Sequence, residues 1–366
     1  MKKILLIGMT SGVGGIETFI MNLLDRVDRS KYSIDLLLFQ DVDEKFSKNI
    51  KKARHVFKVR SVRHHPIGWF FDIIKFYFTH KYDIVHANEC SAKTFLYCWP
   101  IIFQKNVRFI VHSHNGSDSG KFMHFFMRPI QQIFTTDRWS CSTEASKWMF
   151  GKEFMNKYHV VDIKNGIDVS KYRFSKTIRD NYRNRLHVDS NTVVVGSIAR
   201  LEEQKNHAFL LKIFKNYLDR NPNSLLLIAG EGSLKKQLVN ETGDLGIKSR
   251  VKFLGNRNDI PNLLQAMDIL MMPSLYEGMP FIGMEAQAAG IPIVASDSVD
   301  HDLNITNQVT FLKLSDPVSV WCDQMNSSLK NSVDREDFEL FKSCFLKEGY
   351  LISYTIDKIE KEYDLA

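Results

Sequence analysis

Four charged side chains in the second half of the sequence have the types and spacing to hold a ligand with paired phosphates. Glu277 and Glu285 stand eight positions apart in "EGMPFIGMEAQAAGIP" (277–292). Pro280 suits the first turn of a helix, where its missing N–H costs nothing, so the spacing predicts a helix beginning near Met279. Glu277 then lies in the loop ahead of that helix. Glu285 lies in its second turn, several ångströms deeper at about 1.5 Å per residue. Arg200 and Lys205, in "GSIARLEEQKNHAFLL" (196–211), follow a strand pattern and sit near another helix start. Guanidinium and ammonium groups beside free helix amides complement the spread charge of a pyrophosphate. The plainer reading of such a pair is two solvated surface cations.

A nucleotide-diphosphate sugar has hydroxyls at both ends and phosphates in the middle. Carboxylates accept hydrogen bonds from the hydroxyls, and cations with helix amides hold the phosphates between. Two carboxylates also serve a retaining glycosidase, but there they face each other about 5–5.5 Å apart across one bond. Ordering along a helix fits binding better. In the first half, "GMTSGVGGIETFIMNLL" (8–24) sets Gly12, Gly14 and Gly15 between a first strand and a first helix. Glycines there permit close backbone approach to an anion at the helix N-terminus. The spacing is not G-x-G-x-x-G, so no dinucleotide follows, and a tight turn is the other reading.

The elements that must position these residues alternate from end to end, short apolar strands with longer helical patterns, which predicts βαβ units and mainly parallel sheets. Strand candidates in the first half are 3–9, 33–39, 55–59, 83–87, 108–114, 138–142 and 159–163. The rhythm breaks over the polar stretch 164–191 and resumes with 192–199, 224–230, 250–255, 268–274 and 291–297. The second set consists of near-continuous apolar runs, as in sheets covered on both faces. The expected class is α/β, two doubly wound domains over 1–168 and 169–349, with a helix over 350–366 returning to the first. Ligands in such sheets bind beyond the carboxyl ends of the strands.

A chain of 366 residues suits two domains with a cleft between them. Its five cysteines are odd in number and scattered, without a C-x-x-C pair, which argues for a reducing cytosolic setting and against a disulfide framework or zinc site. The apolar run near "TFLYCWPIIFQ" (94–104) is too short to span a bilayer. "MKKILLIGM" reads as a strand rather than a leader, with no small-residue cleavage site after it. Net charge is +7, and residues 1–168 hold 25 Lys and Arg against 16 Asp and Glu. The basic excess therefore belongs to the first half. That half also carries "RHHPIGWFFDIIKFYFTHK" (63–81), either a face for an anionic membrane or lipid-linked phosphate, or a helix with its aromatics in the core and its cations solvated. No helix-turn-helix, zinc-finger or RNP-like pattern points to nucleic acid.

Taken together, "ARLEEQKN" (199–206), "AGEGSLKKQL" (229–238), "VKFLGNRNDI" (251–260) and the E-x7-E stretch 277–297 resemble the retaining GT-B glycosyltransferases of family 4. "GGIETFIMNLL" (14–24), "VHSHN" (111–115) and "NGID" (165–168) agree, so the resemblance spans the chain. It implies a GT-B fold, two Rossmann-like domains facing across a cleft. The positions matching Arg200 and Lys205 contact the donor diphosphate. Glu285 matches the residue on the ribose hydroxyls and Glu277 the one on the transferred sugar. His114 matches the histidine at the reaction centre, with His112 the alternative on the same strand face. Gly14 and Gly15 shape the loop over the diphosphate, Asn256 and Arg257 lie by the base, and Asn165, Met279 and Phe281 complete the donor-side set. "DSVDHDLN" (297–304) departs from the family, replacing a glycine-containing turn and a glutamate.

The resemblance further implies front-face attack by an acceptor hydroxyl, completed by domain closure, with no metal and no cofactor beyond the donor. The expected donor is a UDP-sugar and the acceptor a lipid-linked or saccharide hydroxyl. The setting would be capsule or exopolysaccharide assembly at the inner face of the cell membrane. A sugar-nucleotide epimerase and a non-catalytic partner subunit share the architecture. The intact set Arg200, Lys205, Glu277 and Glu285 argues against the second.

Overall fold

Runs such as "KKILLI" and "SLLLIA" have no polar alternation because both of their faces are covered. Ile4 and Leu6 enter one core while Leu5 and Ile7 enter another on the opposite face of the sheet. The computed structural model describes all residues but Gly12, Val13, Arg63, 115–120 and Ala366, and the side chains of all the rest but Lys45 and Thr94. Gly12 of the glycine loop and Asn115 of the "VHSHN" stretch thus lie outside the described residues.

The chain forms two compact units, Met1–Gly166 with Ile352–Ala366, and Ile167–Leu351. The first holds β1 (Lys2–Ile7), β2 (Tyr32–Leu38), β3 (Val56–Lys58), β4 (Ile84–Glu89), β5 (Arg108–Ser113), β6 (Asp137–Ser140) and β7 (Val161–Asp162). They form one parallel sheet in the order β3-β2-β1-β4-β5-β6-β7. The second unit holds β8 (Val193–Ile198), β9 (Ser224–Ala229), β10 (Val251–Phe253), β11 (Ile269–Met272), β12 (Ile293–Ser296) and β13 (Val309–Leu312). Its order is β10-β9-β8-β11-β12-β13, again all parallel. Strand order reverses between β1 and β4 in one sheet and between β8 and β11 in the other. At such a switch point the outgoing loops diverge and leave a crevice.

Three local findings bear on the site. The polar stretch 164–191 is a built part of the structure, not a loose tether. Its helix Lys176–Arg185 carries Arg183, whose Nη2 meets Asp268 Oδ2 at 2.6 Å while Nη1 donates to the carbonyls of Asp189, Ser190 and Thr192. The helix Pro66–Thr79, read two ways above, buries Trp69, Ile73, Phe76 and Tyr77 on one face. Its other face leaves Ile67, Phe70, Phe71 and Phe78 exposed. The helix Ile352–Asp364 covers the first sheet with Ile352, Ile356, Ile359 and Tyr363.

Candidate active site

Arg200 and Lys205 follow β8, and Glu277 follows β11, so the loops that carry them leave adjacent strands at the second switch point. The Arg200 loop is held by its backbone. Ala199 N–H donates to Ala229 O at 2.9 Å, Leu201 N–H to Glu231 O at 3.0 Å, and Leu234 N–H to Leu201 O at 3.0 Å. Arg200 itself is exposed, and among the described residues its side chain has no hydrogen-bond or ion-pair partner. Lys205 ends a 3-10 turn, Glu203–Lys205, and Asn206 in left-handed conformation (φ 55°) passes the chain into the helix His207–Arg220.

Lys205 Nζ is bonded to Glu277 Oε1, which also accepts from Ser274 Oγ at 3.1 Å. The two side chains are 15% and 9% exposed, which makes this a nearly buried ion pair whose geometry water does little to screen. The backbone of Glu277 is fixed as well. Its N–H donates to Ser298 O and its carbonyl accepts from Asp300 N–H, both at 3.2 Å. The stretch 297–304, where the sequence departs from the family it resembles, therefore clamps the Glu277 backbone.

The helix after Glu277 runs Phe281–Ala288, with Pro280 as its N-cap residue. Among the described residues the amides of Phe281 and Ile282 find no acceptor, which leaves two donors free at a helix N-terminus. Met279 and Phe281 are half-buried against the core rather than free at the surface. Glu285 Oε1 accepts from Tyr172 Oη at 2.7 Å. Burial, and then the Glu285 carboxylate, push that phenol far above its ordinary range. Asn256 and Arg257 are exposed in the loop beyond β10, and Arg257 Nε is engaged by Asp259 Oδ1 at 2.8 Å.

In the first unit Gly14 caps the helix Gly15–Arg26, its carbonyl accepting from Thr18 N–H at 3.1 Å. Glu17 is buried and accepts from Thr10 N–H at 3.0 Å. His114 stands one residue past β5. Its Nε2 is 3.0 Å from Asn88 Oδ1, and Asn88 Nδ2 donates to Ile7 O at 3.3 Å. That second bond orients the Asn88 amide, so a neutral His114 carries its proton on Nε2 and keeps a lone pair on Nδ1. His114 Nδ1 and Asn165 Oδ1 are both buried and without a hydrogen-bond partner among the described residues.

Behind His114 lies a row of rings that sequence reasoning did not assemble. The His112 and His114 centroids are 4.0 Å apart, His112 Nδ1 is 3.3 Å from His86 Nε2, and His86 Nδ1 is 2.6 Å from Tyr363 Oη. His112 is fully buried against Trp139 and His86, whereas His114 stands at the strand end. Burial holds His114 down to about 3, with Asn165 acting the other way. Burial, followed by the charge a protonated His114 would carry, puts His86 and His112 well below the ordinary value.

The unfolded chain therefore takes up protons on these rings as pH falls through about 6.5, and the folded chain does not. Stability present above that pH is lost progressively toward pH 3. Urea midpoints should drop between about pH 7.5 and pH 5, and a His86→Gln/His112→Gln variant, even if weaker at pH 7.5, should show a smaller drop. A wild-type midpoint indifferent to pH over that range would contradict the account.

The structure thus brings Lys205 and Glu277 together and sets Glu285 on a separate partner. Ser274, Tyr172 and Asn88 were not foreseen. Ser274 could have been noticed as the polar end of a strand run three residues before Glu277. Tyr172 lies 113 positions from Glu285, and no local pattern links the two.

The chain matches the family model described as "Glycosyl transferases group 1" over residues 178–321 and that described as "Glycosyltransferase Family 4" over 13–171. It is 30% identical over 298 residues to the UDP-Gal:alpha-D-GlcNAc-diphosphoundecaprenol alpha-1,3-galactosyltransferase of Escherichia coli, covering 77% of this chain and 75% of that one. EpsF of Bacillus subtilis, named only provisionally as a glycosyltransferase, is 28% identical over 375 residues, covering 100% of this chain and 97% of its own. Among solved structures, Anabaena Alr3699/HepE in complex with UDP-glucose superposes with a TM-score of 0.80 at 18% identity, covering 100% of both chains. The lipopolysaccharide glycosyltransferase WaaG superposes at 0.71 with 13% identity, covering 99% of this chain and 100% of that one. These last two establish the fold.

Proposed function

The chain belongs to the group 1, family 4 glycosyltransferases, a GT-B family, and on that premise we propose that it moves a sugar from a UDP-sugar to a hydroxyl of a lipid-linked saccharide, with retention, in surface polysaccharide assembly. The observation that carries the reading is the nearly buried Lys205–Glu277 pair together with Arg200, whose side chain has no partner among the described residues, all on loops leaving β8 and β11. A leaving diphosphate needs positive charge already in place, because preorganised charge costs no rearrangement when the bond breaks. Arg200, Lys205 and the Phe281 and Ile282 amides supply it. Glu277 takes hydroxyls of the sugar, and Glu285, steadied by Tyr172, takes those of the ribose. Gly14 and Gly15 cover the diphosphate, Asn256 and Arg257 flank the base through their backbone, and Met279 and Phe281 shape the donor wall. His114 Nδ1 and Asn165 Oδ1 offer acceptors toward the sugar.

In the reaction the acceptor oxygen bonds to the anomeric carbon on the face from which the diphosphate leaves, the carbon–oxygen bond to phosphate breaks, and the acceptor proton passes to the departing phosphate oxygen. Protein groups orient and stabilise; none needs to bond to the sugar. UDP as carrier is supported by the E. coli relative, whose name specifies UDP-Gal, and a diphosphoundecaprenol-linked acceptor by the same name. The reaction calls for the cytoplasmic face of the membrane, where nucleotide sugars are available.

A screen of nucleotide sugars by calorimetry fixes base and sugar together. The best binder is then incubated with and without diphosphoundecaprenol-linked saccharide. Release of UDP that depends on acceptor is the expected result. Acceptor-independent release with an inverted sugar would mean an epimerase, and no binding to any UDP-sugar would remove the proposal.

A further inference from the structure

Gln287 lies two residues beyond Glu285 on the helix Phe281–Ala288 and is fully buried. Burying a primary amide is costly unless its donors and its oxygen all find partners. Here they do. Nε2 donates to Gly283 O at 3.1 Å and to Leu303 O at 2.6 Å, while Oε1 accepts from Thr306 N–H and from Thr306 Oγ1, both at 3.0 Å. A backbone N–H can only donate and a carbonyl can only accept, so the amide has one orientation. The role given to Glu285 makes no use of this side chain, which reaches instead into the connection 297–308 between β12 and β13.

That connection is pinned in both of its halves. The first half is the clamp on Glu277, whose N–H donates to Ser298 O and whose carbonyl accepts from Asp300 N–H. The 3-10 turn His301–Leu303 leads to the second half, with Asp300 Oδ1 accepting from Asp302 N–H at 3.0 Å and Asp300 O from Leu303 N–H at 3.1 Å. The Gln287 amide then ties the second half to the helix. Helix and turn touch there, since a Cβ on Gly283 would stand 2.8 Å from Leu303 Cδ1. The direct route between Glu277 and Glu285 passes through Gly278 and Met279, whose amides find no acceptor among the described residues. A bonded route between the two carboxylates does exist, and it runs through Asp300, Leu303 and Gln287.

We propose that Gln287 is a positioning residue for the donor: resting on the assignment of Glu277 to the sugar and Glu285 to the ribose, it fixes the clamp on the first carboxylate against the helix that carries the second. Two groups that read opposite parts of one ligand act together only if their separation is set before binding. Without the amide, Thr306 N–H and Oγ1 lose a buried acceptor, and the connection recovers hydrogen bonds by shifting toward water. Asp300 and Glu277 shift with it, while Glu285 keeps Tyr172. Recognition of the sugar then suffers more than recognition of the nucleotide.

The test variant is Gln287→Met, which keeps an unbranched side chain of similar length and removes the amide. Met325→Ala, a truncation at a fully buried site of the helix Val318–Lys330, supplies a general loss of stability for comparison. In the free protein, hydrogen exchange at the amides of Glu277 and Asp300 should quicken about tenfold relative to those of β8 and β9 in Gln287→Met, and in step with them in Met325→Ala. Calorimetry is run with UDP and with UDP-galactose or UDP-glucose, whichever wild type binds more tightly. Gln287→Met should weaken the UDP-sugar about tenfold and leave UDP within about twofold. Thr306→Val, which takes away one of the four bonds, should move both readings the same way by about threefold, and it carries the test if Gln287→Met does not fold. Exchange at Glu277 and Asp300 that stays level with the strands, or a loss shared equally by UDP and UDP-sugar, would overturn the proposal. Wild type that binds no UDP-sugar would remove the donor reading instead, and the exchange result would still show whether Gln287 holds the Glu277 clamp.

Discussion

Replacing Lys205 by alanine lowers kcat/KM for transfer by about 10²–10³, the loss seen when one preorganised group facing developing charge is removed. The argument has two parts. Lys205 is already fixed in place, its Nζ tied to Glu277 Oε1 and its side chain only 15% exposed. On the proposed reading its charge is positioned before the donor arrives, whereas the exposed Arg200 would be ordered by it. The second part concerns Glu277. With Lys205 gone its carboxylate keeps Ser274 Oγ as a hydrogen-bond donor and loses its countercharge. Leaving a nearly buried charge unpaired costs on the order of 2 kcal/mol of stability. Lys205→Met combined with Glu277→Gln removes both charges and should recover most of that stability without recovering transfer. Steady-state kinetics beside urea denaturation separates the two effects. Lys205→Ala with near-normal kcat/KM would remove the assigned role.

Gly230→Ala has the largest expected effect on the fold. Gly230 sits just beyond β9 at φ +138°, a conformation closed to side chains, and a Cβ there would stand 2.0 Å from Ala199 O. Neither atom can yield, since Ala199 is itself bonded to Ala229 across the sheet. We expect at least about 3 kcal/mol of destabilisation, read as a fall in the urea midpoint. Whatever folded protein remains should bind donor poorly, because the displaced backbone is the one that carries Arg200. Gly243→Ala is the control. It lies in the helix Lys235–Asp244 with nothing within 4 Å of a new Cβ, and it should gain about 0.5–1 kcal/mol. Equal behaviour of the two variants would mean that close approach of backbones is not what Gly230 serves.

Much of this architecture was legible because buried parallel strands are largely apolar, and twelve of the thirteen strands were read from short apolar runs, although β3, β6 and β7 carry polar residues within theirs. β13 did not. It is an edge strand in which Thr310, Phe311 and Leu312 are only half-buried, so its pattern does not differ from that of a loop. Pro280 fixed the start of the helix bearing Glu285 to within two residues, since proline's restricted φ and missing N–H act locally. The Lys205–Glu277 pair could not be read the same way. The two are 72 positions apart and meet only because β8 and β11 are neighbours while β9 and β10 lie to the other side. His112 and His114 share a strand face in the sequence. Which of them is sealed in depends on Trp139 and His86, residues from two other strands.

The helix Ile352–Asp364 has a consequence for the order of events during synthesis. Lys2 Nζ is bonded to Tyr363 O at 2.7 Å and Arg108 Nη1 to Glu362 O at 2.9 Å, and Tyr363 closes the histidine row. A chain emerging from the ribosome can complete the unit Ile167–Leu351 from one unbroken stretch. The unit that starts first must wait, with the part of its sheet that the helix Gly15–Arg26 does not cover open to water, until the translated chain reaches Tyr363.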